Sequence, residues 1–141
     1  MFGEFALVVA ALFTGAAIYI NWAEQPARLG LDDQAMLAEW KPSYARGFAM
    51  QAWLAVIGFI LGTLEWMVTG RWIWLAGAVA LVANWPFTLF VIMPVNKELE
   101  ATPIERASEQ TRALVEKWGV LHGVRSALGA LSLGLFLWAS I

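Results

Sequence analysis

Four long apolar runs separated by three polar intervals set the pattern of this chain. They extend from about residue 5 to 22, 46 to 68, 72 to 93 and 118 to 140. About 20 mostly apolar residues of helix cross the roughly 30 Å hydrocarbon core of a bilayer, so each run predicts a membrane-spanning helix. The fold expected is all-α, an integral membrane four-helix bundle forming a single domain over residues 1–141. The interval Thr69-Gly70-Arg71 is so short that the second and third spans form an antiparallel hairpin. The other two intervals are longer, and each predicts a short amphipathic helix. In the first, Asp32 or Asp33 caps a helix that ends before Pro42. In the second, Thr102-Pro103-Ile104-Glu105 combines a capping threonine, a proline at the first helical position and a capping-box glutamate. Ile104, Ala107, Leu114 and Trp118 recur at helical spacing, which carries that helix straight into the fourth span.

Lipid gives helices little hydrophobic reason to associate, so close packing through small side chains is the usual solution. Each span offers such a ridge: Ala10, Thr14, Ala17; then Ala55, Gly58, Gly62; then Gly77, Ala80, Asn84, Thr88; and last Gly119, Gly123, Ala127, Ala130, Gly134. On the first three spans the ridge shares its face with polar residues, which predicts that Asn21, Gln51 and Asn84 point inward. Pro86 must free the carbonyl of Val82 and bend the third span. Asn84 beside it either satisfies a carbonyl or a neighbouring helix, or forms the floor of a pocket. Glu65, near the opposite membrane face, is expected to snorkel. Trp22, Trp72, Trp74 and Trp138 fall at span ends, where indoles form an interfacial belt. Trp53, Trp66 and Trp85 lie deeper, in the core or in the wall of an aromatic pocket.

Composition sharpens this picture. With 60% of residues hydrophobic and 14% charged, the chain lacks the polar residues needed to cover a soluble domain of 141 residues, so lipid is its solvent. A net charge of −2 without a basic stripe argues against a nucleic-acid partner. The absence of cysteine excludes disulfides and thiolate metal sites. Glu4 stands where a signal peptide would carry basic residues, so the first run reads as a retained span. Arg28, Lys41, Arg46, Lys97, Arg106, Arg112 and Lys117 flank the two long loops, whereas the hairpin turn has only Arg71. The positive-inside rule then places the chain in the cell membrane with both long loops cytoplasmic and both termini outside.

The cytoplasmic rim holds the candidate chemistry. Asn21, Glu24, Gln51, Asn96 and the single histidine, His122, fall near that boundary, together with Trp40, Tyr44 and Trp118. Trp118, His122 and Arg125 project from one helix face, as do Asn21, Glu24 and Arg28. Ionisable groups inside a membrane are costly and tend to mark function. The same histidine is equally suited to tie helices together through Glu24 or a loop carbonyl, and Arg125 to pair with Glu24 or snorkel.

Several segments are similar to the anthrone oxygenase-like small membrane proteins, much of which is a domain family of unknown function. They are Glu24-Gln25-Pro26-Ala27-Arg28, Trp40-Lys41-Pro42-Ser43-Tyr44 with Arg46, Asn84-Trp85-Pro86-Phe87-Thr88, Met93-Pro94-Val95-Asn96-Lys97, and Trp118-Gly119-Val120-Leu121-His122-Gly123-Val124-Arg125. The Pro-x-Asn turn followed by Trp-x3-His-x2-Arg is the most specific part. The resemblance implies a four-helix membrane fold and, for characterised members, O2-dependent oxidation of polycyclic aromatic substrates in polyketide pathways. It makes His122 the base, Glu24 its orienting partner, and Asn96, Asn21 or Arg125 donors to a developing oxyanion. Tyr44, Trp40 and Trp118 would face the rings, with Gln51 and Asn84 completing the substrate contacts. Such a reaction needs no organic cofactor, since a substrate carbanion can reduce oxygen itself. A haem or a single metal at His122 is the alternative, and a non-enzymatic role in lipid or small-ligand binding, or as an accessory subunit, is another. Partners expected are the bilayer, a hydrophobic aromatic molecule and O2, with homo-oligomerisation left open. Four spans without a repeated half argue against a transporter.

Overall fold

The computed structural model describes all residues from Met1 to Ile141. Four helices account for nearly the whole chain: α1 (Phe2–Leu29), α2 (Asp33–Thr69), α3 (Trp72–Ala101) and α4 (Glu109–Ser140). All are long and apolar enough to cross a membrane. α1 packs against α2 and α4, α3 packs against the same two, and the diagonal pairs scarcely meet. Short connections between sequential neighbours give this up-down-up-down square. The α2–α3 turn lies at one end, the hairpin end. The α1–α2 and α3–α4 connections lie at the other, the connection end.

The helices expected inside the loops exist only as extensions of the spans. Asp32 does cap α2, its side chain accepting from the Ala35 N–H at 2.9 Å, but the helix does not stop before Pro42; it continues to Thr69. Packing overrides the missing proline N–H: Met36, Leu37 and Trp40 are wholly buried, and Trp40 and Tyr44 stack across Pro42 at 4.7 Å. At the other connection the helix does not begin at Thr102. The Lys41 ammonium holds the carbonyls of Glu100 and Thr102, at 2.9 and 2.7 Å, and closes α3 there. Ile104–Arg106 form one 3₁₀ turn, and α4 starts from a capping box between Ser108 and Thr111. The Arg112 guanidinium ties this end together by donating to Asp33 and to the carbonyls of Leu29 and Leu31. At the hairpin end, Gly70 ends α2 with a φ of 70°, a left-handed conformation that favours glycine.

Two wide turns break the regular helical pattern. Ile20–Glu24 in α1 and Thr88–Ile92 in α3 are π-helical, with Gln25 N–H bonded to the Ile20 carbonyl and Met93 N–H to that of Thr88. Each ends two residues before a proline, Pro26 or Pro94. A proline ring clashes with the carbonyl four residues back, and a wider turn relieves that clash. Pro86 frees Val82 as expected, at a turn centred on Ala83; the Asn84 amide, however, donates to the Leu81 carbonyl at 3.0 Å.

The core has two apolar clusters. One lies at the hairpin end, around Phe13, Trp74, Leu81 and Phe136. The other lies at the connection end, around Leu37, Trp40, Leu99 and Trp118. The small ridges on α1 and α2 do face inward, but the α4 ridge does so only at its Gly119 end. Its buried face is instead Trp118, His122, Arg125, Gly129, Ser132 and Phe136, which leaves Ala127, Ala130 and Gly134 outside. Large side chains, and not the small stripe, set the rotation of α4. Trp53 also faces outward, 69% exposed, whereas Trp74, expected in the interfacial belt, is buried against Phe136. Glu65 accepts from the Gly3 N–H at 2.8 Å and caps α1 instead of snorkelling.

Candidate functional site

Between the two apolar clusters lies a layer of buried polar side chains contributed by all four helices: Thr14, Gln51, Asn84, Thr88, Asn96, His122 and Arg125. His122 is its centre. The imidazole is 2% exposed, and its Nδ1 lies 2.8 Å from Asn21 Oδ1. Asn21 Nδ2 donates to the Gly119 carbonyl at 2.8 Å, and the Ser126 hydroxyl donates to Asn21 Oδ1, also at 2.8 Å. Because a carbonyl only accepts, these bonds fix which way the Asn21 amide faces. Its Oδ1 must be the acceptor for Nδ1–H, so the neutral ring keeps its unprotonated lone pair on Nε2. The protein offers Nε2 no hydrogen-bond partner.

Arg125 lies one helical turn further along α4. Its guanidinium donates to Gln51 Oε1 at 2.7 Å and lies over the Phe13 ring at 5.9 Å. None of the four ion pairs in the protein includes it. A buried cation with no anion beside it carries a desolvation cost that an anionic ligand would relieve.

Glu24, expected beside the imidazole or paired with Arg125, does neither; its carboxylate is held by Arg28. Arg28 is itself buried, bridging Glu24 and Glu39 and donating to Gln25 Oε1 at 2.9 Å. Gln25 in turn donates to the Val115 carbonyl at 2.9 Å, and a Cβ at Gly119 would lie 2.6 Å from the Gln25 amide nitrogen, so a side chain there would displace that amide. Glu39 lies outside the 46–68 span. Burial pushes its carboxyl up, but hydrogen bonds from Arg28 and Ser43 with the Arg28 charge outweigh this and hold it below its ordinary 4.5.

One cavity brings most of the expected residues together. Glu24, Tyr44, Gln51, Asn96, Trp118, His122 and Arg125 all line it. Its free space is about 20 Å³, enough for roughly one water molecule. Asn21 stands behind the imidazole, and Trp40 stands behind the aromatic wall, stacked on Tyr44 and edge-on to Trp118 at 5.9 Å. Trp118 lies 5.0 Å from the His122 ring. Asn84 lines a separate cavity of similar size between α2 and α3, with Gln51, Thr88 and Arg125. Gln51 Nε2, Asn84 Oδ1, Thr88 Oγ1, Arg125 Nε and both polar atoms of Asn96 are buried without partners. Buried polar groups are normally satisfied, so this concentration marks a place for water or ligand. A haem would have to centre its macrocycle over Nε2, where the inner cavity has room for about one water molecule; a chelated metal would have to take Glu24 from Arg28.

Sequence reading gave no role to Gln25 and Ser43, which it met only within the family segments, and missed Glu39 and Ser126. Two of them carried a signal, since Glu39 and Ser43, like Glu24 and Arg28, are spaced one turn apart.

Fold and site together define a class: a small four-helix membrane bundle whose interior holds one imidazole and one unpaired guanidinium. A family model described as anthrone oxygenase matches residues 40–135, and the chain belongs to that family. The match spans Tyr44, Asn96, His122 and Arg125 but not Asn21 or Glu24. Comparisons with curated proteins and with solved structures find no match.

Proposed function

We propose that the protein is a membrane-embedded oxygenase that converts the methylene of a hydrophobic, ketone-bearing polycyclic aromatic to a second ketone, with His122 as general base. The observation that carries this is the Asn21 hydrogen bond, which leaves Nε2 free to accept a proton inside a largely apolar cavity beside the Arg125 cation. Nε2 removes a proton from the carbon opposite the ring ketone. The charge moves to the ketone oxygen, where the guanidinium of Arg125 and the Asn96 amide stabilise it. The electron-rich ring then reduces O2 and forms a carbon–oxygen bond as a hydroperoxide. Loss of water gives the quinone, so that CH2 and O2 become C=O and H2O. Membership of the anthrone oxygenase family supports the substrate class. Glu24, fixed by Arg28, has a part in shaping the cavity and none in orienting the imidazole.

The test uses protein in lipid nanodiscs with 9-anthrone, following anthraquinone absorbance and oxygen uptake together. The expected result is one O2 consumed per quinone, with His122→Gln slowing turnover roughly 10²- to 10⁴-fold. Turnover by His122→Gln at the wild-type rate sinks the reading.

A further inference from the structure

The cavity beside His122 has room for about one water molecule, far too little for a fused ring system. Beside it, between α1 and α2, lies a cleft with about 360 Å³ of free space, within the range of small-molecule sites. It is lined by Ala16, Tyr19, Ile20, Arg46, Gly47 and Met50, and it shares Ile20, Glu24, Ser43 and Gly47 with the inner cavity. The two spaces are therefore compartments of one site, separated by the Ile20 side chain and the bare backbone of Gly47. A Cβ at Gly47 would already lie 3.7 Å from Ile20 Cδ1. The wide turn at Ile20–Glu24 builds this wall, presenting Ile20 and Glu24 to the cleft while Asn21 reaches His122. The cleft opens at the level where the second apolar run begins, and Arg46 at that boundary has no ion-pair partner.

From this we infer that the α1–α2 cleft is where the ring system binds. The substrate is taken up sideways from the bilayer, its reacting edge passes Gly47 to reach His122, and an acidic or phenolic oxygen is left beside Arg46. This rests on the proposed oxygenase reading and assigns its flat polycyclic ketone a binding place and an orientation, polar edge towards Arg46. A lipid phosphate pairs with Arg46 equally well, so shape decides: a flat ring system presents an edge to the His122 compartment, which an acyl chain has no use for.

Photolabelling with benzophenone, a rigid diaryl ketone that attacks methionine, tests the location without requiring turnover. In nanodiscs the label is expected on Met50 and is expected to fall when 9-anthrone is added. Gly47→Leu, and independently Ala16→Leu from the facing helix, fill the cleft. Each is expected to abolish Met50 labelling and raise KM for 9-anthrone by at least roughly tenfold. Ala127→Leu, on the outward face of α4, is expected to change neither. Labelling of Met50 that 9-anthrone does not reduce, the outcome if acyl chains alone occupy the cleft, overturns the inference. So does an unchanged KM in folded Gly47→Leu and Ala16→Leu, even while the oxygenase reading stands. Competed Met50 labelling in a protein that never oxidises anthrone keeps the cleft assignment and removes the oxygenase reading instead.

Discussion

Asn21 donates to Gly119 and accepts from His122 and Ser126, which fixes the face its amide presents. That orientation decides the tautomer of the imidazole, as an orienting carboxylate does in other acid–base sites. Asn21→Leu removes it while leaving His122 in place. The expected loss in kcat for 9-anthrone is roughly 10- to 100-fold, with KM nearly unchanged, measured in the same nanodisc assay; an unaffected kcat would show that the tautomer does not matter. Arg28 is the structural counterpart of Arg125. It has two carboxylate partners, so Arg28→Leu leaves two part-buried anions unpaired and is expected to cost on the order of 3 to 5 kcal/mol, read by denaturation in detergent. Residue types were legible in the sequence: His122, Arg125 and Gln51 declare themselves as polar groups within apolar runs, and Asn96 by its place in the Pro-x-Asn turn. The partnerships were not. Asn21 and His122 are 101 positions apart, and which carboxylate meets which cation depends on helix rotations that periodicity does not define.

At the scale of elements, prolines in this chain act as phase shifters. Where the backbone can widen ahead of the ring, at Pro26 and Pro94, a π turn forms and rotates the helical residues on its far side. Where aromatic stacking holds both sides, at Pro42, the helix runs on. Sequence rules treat proline as a stop, which is why the helix of the first connection was expected to end before Pro42; a fixed 3.6-residue register has no place for the wide turn ahead of Pro26, and so misjudged Glu24. Pro26→Ala restores an N–H and permits ordinary α geometry through residues 20–24. The altered register is expected to displace Asn21 and Glu24 and lower activity by about a hundredfold, as sub-ångström to ångström misplacements do. Hydrogen exchange at residues 22–26 measures whether the turn has tightened, and wild-type activity in a tightened variant would refute the role of the wide turn.

For the whole molecule, length and hydropathy alone foretold four spans, an antiparallel hairpin and a bundle, because a bilayer imposes those lengths whatever the packing. The chain has no native cysteine, so single-cysteine variants report sidedness cleanly. Gly30→Cys and Ala101→Cys are expected to react with a membrane-impermeant maleimide from the cytoplasmic face, and Thr69→Cys from the opposite face. Labelling of all three from one side would break the proposed topology. The two apolar clusters that bracket the polar layer have a consequence for energetics. The hairpin-end cluster seals the imidazole from that face of the bilayer, whereas the cavity beside His122 is lined by Glu24, Ser43 and Tyr44 towards the connection end, so a proton taken from substrate departs towards the connection end. Catalysis in such a bundle would run without drawing on, or discharging, the voltage across the membrane that surrounds it.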